Sequence, residues 1–289
     1  MKKSRFLLSL LCLMVSTMGW GREKSLAPWR DPAVNGVNRL PMRADYFAFQ
    51  SGEEATTKEH SSCYLSLNGP WRFLWVRHAE DRPRDFGALR LEDRSWATIP
   101  VPGVWELHGY GAPLYANAVY AWHNQFKNDP PVVPLRENHV GSYRRRILIP
   151  NAWRGKRIIA HFGAVSSSLT LAVNGREVGY SEDSKLPAEF DITPYVRFGE
   201  ENLLAFQVFR WVDGTYLECQ DFWRLSGVAR DCYLYARSPQ RIEDVQLVAD
   251  LDTLHYQTGL LSLKLQKTSA NLPVSMTLRD AEGKICLQR

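Results

Sequence analysis

Nothing long in this 289-residue chain carries an apolar period of 3.6 residues, so a helical architecture is not expected. Cysteine is scarce. There are five, with no CxxC and no histidine at zinc-ligand spacing, which argues against a structural zinc site or a dithiol redox motif. Long hydrophobic runs are also missing. The longest, FLLSLLCLMV near the start, is too short to span a bilayer, so no membrane span is expected. An excess of basic charge is missing too, although the formal net charge is +5. Lys2, Lys3 and Arg5 lie in the leader-like segment, and without residues 1–20 the balance is 33 basic against 31 acidic residues. That balance speaks against nucleic acid as a partner. The one basic run, Arg144–Arg146 in SYRRRILIP, reads as a solvated strand edge.

What is present begins with a segment that reads as an export signal. Residues 1–21 combine a basic KKSR start, the short apolar run, and the small residues Ser16, Thr17 and Gly19. The bulky Leu11 before Cys12 does not suit lipoprotein cleavage. A secreted or periplasmic protein is expected. Cys12 leaves with the leader. Cys63, Cys219, Cys232 and Cys286 remain, and they allow three full pairings, among which sequence cannot choose. Isolated buried thiols are the default reading.

Residues 22–62 read as an irregular lead-in interrupted by Pro28, Pro32 and Pro41. From Cys63 short strand signals recur. CYLSLNGPWRFLWV alternates around Asn68-Gly69-Pro70, and KRIIAHFG, SSLTLAVNG, NLLAFQVFRW and ARDCYLYA follow. Asn174-Gly175 between two alternating runs is a type I′ hairpin signal. DITPYV reads as one helical turn capped by Asp191. The pattern over residues 63–237 predicts an all-β fold, a jelly-roll β-sandwich. Near Ser238-Pro239 a boundary is expected. Residues 238–289 then read as four strands of an immunoglobulin-like sandwich that stops in mid-domain, since such domains run to about seven strands. Lone histidines such as His161 read as core or strand residues.

The most informative stretch is Trp211–Gly227, WVDGTYLECQDFWRLSG. It sets Asp213, Glu218 and Asp221 among Trp211, Tyr216, Phe222 and Trp223. Carboxylates accept hydrogen bonds from hydroxyls, and rings pack on the apolar face of a pyranose, so the composition suits a sugar site. A polar loop with its aromatics turned into the core has the same composition. Ten tryptophans suit either reading.

Two further blocks, VPGVWELHGYGAPLYANAVY at 101–120 and VNGREVGYSEDSKLPAEFDITPY at 173–195, join the first. Together they resemble the N-terminal part of β-galactosidases of glycoside hydrolase family 2, over roughly Arg43 to Arg289. The resemblance implies a sugar-binding jelly-roll domain followed by the start of an immunoglobulin-like domain. It implies a retaining enzyme acting on terminal β-galactose in β-galactosides or glycans, with both catalytic glutamates on a (β/α)₈ barrel. Such a barrel needs about 250 residues of alternating strands and helices, and that pattern is absent here. No catalytic residue is therefore carried over, and the chain is expected to be non-catalytic and inactive alone. By family position, Asn117 of the APxYxN motif contacts galactose. Asp213 of the WxDGxYLE motif contacts galactose and helps to hold sodium. The other sodium ligands and the magnesium site of relatives lie on the barrel, so no cofactor is expected in this chain alone. Glu218, Asp221, Trp223 and Arg224 read as scaffold of the site loop, with Asp221 the nearest carboxylate for a bidentate pair with Arg224. Trp122 and His123 either line a sugar subsite or sit exposed on the loop. Cys219 departs from the acidic residue common in relatives. A separate barrel chain or a homo-oligomer are the partners implied. The alternatives are a stand-alone carbohydrate-binding module, a fragment of another family 2 glycosidase, and a structural domain without ligand.

Overall fold

The computed structural model describes residues 26–43, 49–57, 61–117, 120, 122, 126–218 and 220–289. The leader with Cys12, and also His123 and Cys219, lie outside the described residues. Among the described residues the one α-helix is Gly52–Thr57, and no helix is long and apolar enough to cross a membrane. The rest of the regular structure is strand, with short 3₁₀ turns.

Two antiparallel sheets face each other. The larger runs, in spatial order, Gly36–Val37, Arg176–Ser181, Leu169–Val173, Glu201–Phe209, Val140–Leu148, Gly69–Val76 and Ala97–Val101. The smaller runs Ala188–Asp191, Arg157–Phe162, Cys232–Arg237 and Tyr64–Ser66. Strands that follow one another in sequence repeatedly cross between the sheets, the wrapping expected of a jelly roll. Their inward residues form one core, in which Phe206 stacks on Tyr143 at 4.3 Å and meets Trp71 and Phe162 edge-on at 5.0 and 5.3 Å. Full burial of a ring such as Phe206 stabilises the fold by roughly 2–3 kcal/mol. Trp71, Trp105 and Trp153 are buried in the same core, so much of the tryptophan content serves packing.

Local chemistry explains the turns. Asn174 and Gly175 both have positive φ, 50° and 85°, and close the hairpin between Leu169–Val173 and Arg176–Ser181. The segment after Asp191 forms a 3₁₀ turn, Thr193–Tyr195, whose first amide donates to Asp191 Oδ1 at 3.0 Å. Asn68-Gly69-Pro70 does not close a hairpin. Tyr64–Ser66 pairs with Cys232–Arg237, and Gly69–Val76 pairs with the other sheet. Gly69, at φ 113°, makes the switch, and the freed carbonyls of Leu67 and Asn68 accept from Arg145 at 2.7 and 3.0 Å.

Two expectations need correction. The Arg144–Arg146 strand is no edge, because Val140–Leu148 lies between Glu201–Phe209 and Gly69–Val76. Arg144 is buried, held by Asp93 at 2.7 Å and by the carbonyls of Phe86, Ala88 and Leu91. Its full set of partners is what permits a guanidinium there. The lead-in is not wholly irregular. Gly36–Val37 adds an edge strand beside Arg176–Ser181, and Trp29 stacks on Phe209 at 4.5 Å. Beyond the sandwich, Ile242–Leu251 pairs with Gly259–Lys267, and Thr277–Arg279 with Ile285–Gln288 across the Asp280–Gly283 turn. Cys63 and Cys232 are free and buried, and Cys286 is free and exposed.

Candidate functional site

The three blocks singled out in the sequence meet in one loop cluster. Taking 101–120 as the first block, 211–227 as the second and 173–195 as the third, Leu114–Ala116 from the first pairs with Phe222–Arg224 from the second, in the register Ala116↔Phe222, Tyr115↔Trp223 and Leu114↔Arg224. Asn117 follows this ribbon directly and is exposed. The other arm is the 3₁₀ turn Asp213–Tyr216. Thr215 folds it, because its hydroxyl accepts the Val212 amide at 2.9 Å while its own amide donates back to Val212.

A second apolar cluster holds both arms. Trp122 is fully buried, edge-on to Tyr216 at 4.7 Å and to Trp211 at 5.9 Å, with its N–H on Asn128 at 3.0 Å. It is therefore neither a sugar platform nor an exposed loop residue. The Tyr216 hydroxyl donates to the Val132 carbonyl at 2.8 Å and ties residues 126–133 to the turn. Buried Asn138 mimics a strand partner. Its amide donates to the Trp211 carbonyl and accepts from the Trp211 amide, both at 2.9 Å. Arg210 reaches across to the first block and donates to the Ala112 carbonyl at 2.9 Å.

The third block lies beneath the turn. Tyr180 donates its hydroxyl to Glu182, and a Cβ on Gly214 would come within 2.5 Å of Glu182 Oε2. Glycine lets the turn close over this carboxyl without displacing it. Glu182 and Asp213 are each 7% exposed and hydrogen-bond each other. Burial and the Asp213 charge raise Glu182 to about 8, and burial also raises Asp213. Near neutral pH Glu182 therefore keeps its proton, beside Asp213. Asp213 Oδ1 is buried without a partner.

Glu218 accepts from the Ser184 amide at 2.9 Å and hydroxyl at 2.5 Å, which joins the second block to the third. Arg224 is buried, and its fork binds the carbonyls of Glu218 at 2.7 Å and Gln220 at 2.6 Å. The expected pair with Asp221 does not form. The loop carbonyls take the guanidinium, and exposed Asp221 instead accepts from the Tyr115 hydroxyl at 2.5 Å. Trp223 and Tyr115 stand largely in solvent with ring centroids 5.6 Å apart. His161 is buried in its strand, bound to Glu189 at 2.9 Å and stacked on Tyr233.

Chemically, the cluster presents an exposed amide and one orphaned carboxylate oxygen. Such groups suit sugar hydroxyls or one ligand position on a hard cation. Among the described residues there is no group of three or more His, Cys, Asp or Glu that could hold a metal. The contacting Glu182–Asp213 pair does not match a retaining glycosidase, whose two carboxyl groups stand about 5 Å apart around the sugar. Glu182, Tyr180, Asn138 and Arg210 were not singled out in the sequence. Their signal is weak, since a single polar residue in a strand or loop does not reveal its cross-chain partner.

The family model described as "Glycosyl hydrolases family 2, sugar binding domain" matches residues 64–238. A beta-galactosidase of Halalkalibacterium halodurans is 40% identical over 259 residues, covering 89% of this chain and 25% of the relative. Those of Priestia megaterium and Vibrio cholerae are 37% and 40% identical, covering 89% and 90% of this chain and 26% and 25% of theirs. The chain thus spans about a quarter of the length of the curated relatives it matches. Among solved structures, an uncultured Clostridium sp. beta-glucuronidase aligns with a TM-score of 0.58 at 18% identity, covering 87% of this chain and 39% of that one. A Faecalibacterium prausnitzii beta-glucuronidase gives 0.56 at 20% identity, with 80% and 40% covered. At these identities the likeness is one of fold.

Proposed function

The chain belongs to the glycosyl hydrolases family 2, whose sugar binding domain it carries, and from that premise we propose that it forms one wall of the galactose site of a β-galactosidase. The contacts that tie the segments carrying Asn117 and Asp213 into one loop cluster carry the reading. Asn117 offers an exposed amide that both donates to and accepts from sugar hydroxyls. Asp213 offers Oδ1, buried and unpaired, to a galactose hydroxyl or to sodium. That orphaned oxygen fits a hard cation, and sodium would bring positive charge beside the sugar while its other ligands come from outside this chain. Contact with the Glu182 carboxyl holds the Asp213 carboxylate in place. Glu218 and Arg224 brace the loop behind it, and the exposed Tyr115–Trp223 ribbon borders Asn117.

Cleavage, with retention of anomeric configuration, is assigned to a barrel outside these residues, so this chain alone is inactive. Export through the segment at 1–21 places the enzyme in the periplasm or outside the cell. A separate barrel chain or a homo-oligomer would complete the site, and magnesium would be bound on that barrel.

The test grafts this chain in place of the homologous quarter of the Halalkalibacterium enzyme and assays a chromogenic β-galactoside. The graft should hydrolyse it, and Asn117→Ala and Asp213→Asn should each raise KM about tenfold or more. A folded graft whose KM ignores both substitutions would refute the reading. A stand-alone binding module predicts micromolar galactose binding by the isolated chain, whereas a single wall predicts millimolar binding or none.

A further inference from the structure

A cleft of about 330 Å³ lies beside the loop cluster, lined by Trp75, Arg77, Glu137, His139, Arg210 and the backbone run 111–114. Asn117 and Asp213 are not among its lining residues. Its size suits one pyranose unit, and its chemistry is dominated by donors. His139 Nδ1 lies 3.2 Å from Arg210 Nη1. A guanidinium only donates, so Nδ1 accepts and the ring proton sits on Nε2. Burial and the Arg210 charge push His139 down to about 4, so the ring is neutral near pH 7. The ring also meets Trp75 edge-on at 4.7 Å.

Two buried donors on the lining residues, Trp75 Nε1 and Arg210 Nε, have no partner in the protein. Arg77 holds both Glu137 oxygens through Nε, each at 2.8 Å, and its exposed guanidinium keeps its Nη groups for a ligand. Arg77 is paired with Glu137 and the Arg210 charge is met by Glu106, so what stays open toward the cleft is a set of donors, the Arg77 Nη groups foremost. The unsatisfied donors and the open Arg77 fork together call for an acceptor-rich anion, and the half-buried Trp75 ring supplies apolar surface for a sugar.

We propose that this cleft is a second saccharide subsite, selective for a sugar unit that bears an anionic group, either a carboxylate or a sulfate ester. The charged group lies against Arg77 and Arg210, and the pyranose lies against Trp75.

The experiment titrates the chain at pH 7 and low salt with galacturonate, galactose 6-sulfate, galactose and inorganic sulfate, and follows ¹H–¹⁵N spectra. The Trp75 indole N–H should shift with one or both anionic sugars, and the Gly214 amide should not. Which of them binds identifies the anion. Binding should be about tenfold or more tighter than for galactose, and should weaken several-fold between about 20 mM and about 500 mM salt. Arg77→Gln, an exposed substitution, should weaken it about tenfold. Trp75→Phe, which keeps a ring but removes the N–H, should weaken it several-fold. Equal affinity for galactose, or no saturable binding of either anionic sugar, would overturn the proposal. So would inorganic sulfate binding as tightly as the sugars, because the pyranose would then contribute nothing.

Discussion

Replacing Glu182 with glutamine should make the sandwich more stable at alkaline pH and change little in acid. In the folded chain the carboxyl titrates at about 8 instead of 4.5, because it is buried and faces Asp213. The folded state therefore keeps a proton that the unfolded chain releases across that window. Stability is fullest below about pH 4.5 and falls as pH rises toward about 8, by up to about 1.4 kcal/mol per pH unit. Over the whole window the loss attributable to Glu182 is at most on the order of 5 kcal/mol. Glutamine reproduces the protonated form. Its N–H donates to Asp213, and its carbonyl accepts from the Tyr180 hydroxyl, which now donates to Glu182. Urea unfolding of both proteins at pH 5, 7 and 9 separates the coupled Glu182–Asp213 pair from the remaining titrations, which are common to the two. The expected result is near-equality at pH 5 and a Glu182→Gln advantage of about 2–4 kcal/mol at pH 9. Parallel stability profiles across the range would show that Glu182 is ionised in the folded chain, and the account of a protonated Glu182 beside Asp213 would be abandoned.

Three other outcomes follow from the contacts. Arg144→Leu strips donors from Asp93 and from the carbonyls of Phe86, Ala88 and Leu91, and should cost about 3–5 kcal/mol in urea unfolding. Lysine should not restore it, lacking the planar fork. Gly214→Ala drives a Cβ to 2.5 Å from Glu182 Oε2 and should cost about 1–3 kcal/mol, with a smaller loss in a Glu182→Ser background because the colliding atoms are gone. Burial lifts the Cys232 thiol to about 12, so at pH 8 a thiol reagent should label exposed Cys286 in the native chain and Cys232 only on unfolding, as read by peptide mapping.

The fold was legible wherever one local rule sufficed. The alternation of short apolar runs marked the strands, and Asn174-Gly175 carried its turn type in its identity. What escaped was pairing across distance. Nothing local in SYRRRILIP says that its strand is flanked on both sides, so Arg144 looked solvated although Asp93, fifty-one residues earlier in the chain, waits for it. Arg224 was paired with the nearest carboxylate in sequence, but its fork points at backbone carbonyls that exist as a target only once the loop has curled. The sequence around Trp122 fits a subsite and an exposed position equally, because its burial depends on Tyr216 and Trp211, about ninety residues further on. Glu182 was missed for the same reason. An acidic residue in SED looks like any surface carboxylate until Gly214 is laid over it.

These long-range ties also explain how a loop cluster can hold a defined geometry. Asn117 sits at the end of a ribbon three residues long, which alone would be a weak support. Its position is set from both sides. Upstream, Arg210 grips the Ala112 carbonyl, and the Arg210 backbone is itself anchored by the Ser167 hydroxyl at 2.8 Å. Across the ribbon, Phe222–Arg224 is tied through the Arg224 fork to the carbonyls of Glu218 and Gln220, and Glu218 to Ser184. Asp213 is only three residues beyond Arg210, so one guanidinium spans the chain segments that carry both groups. Arg210→Lys should therefore loosen Asn117 and Asp213 together, because an ammonium cannot reproduce the bond to Ala112 and the contact with His139 in one plane. In the grafted enzyme that substitution should lower kcat/KM by about tenfold or more while adding little to the defect of Asn117→Ala when the two are combined. Full additivity of the two losses would mean that Arg210 does not position Asn117.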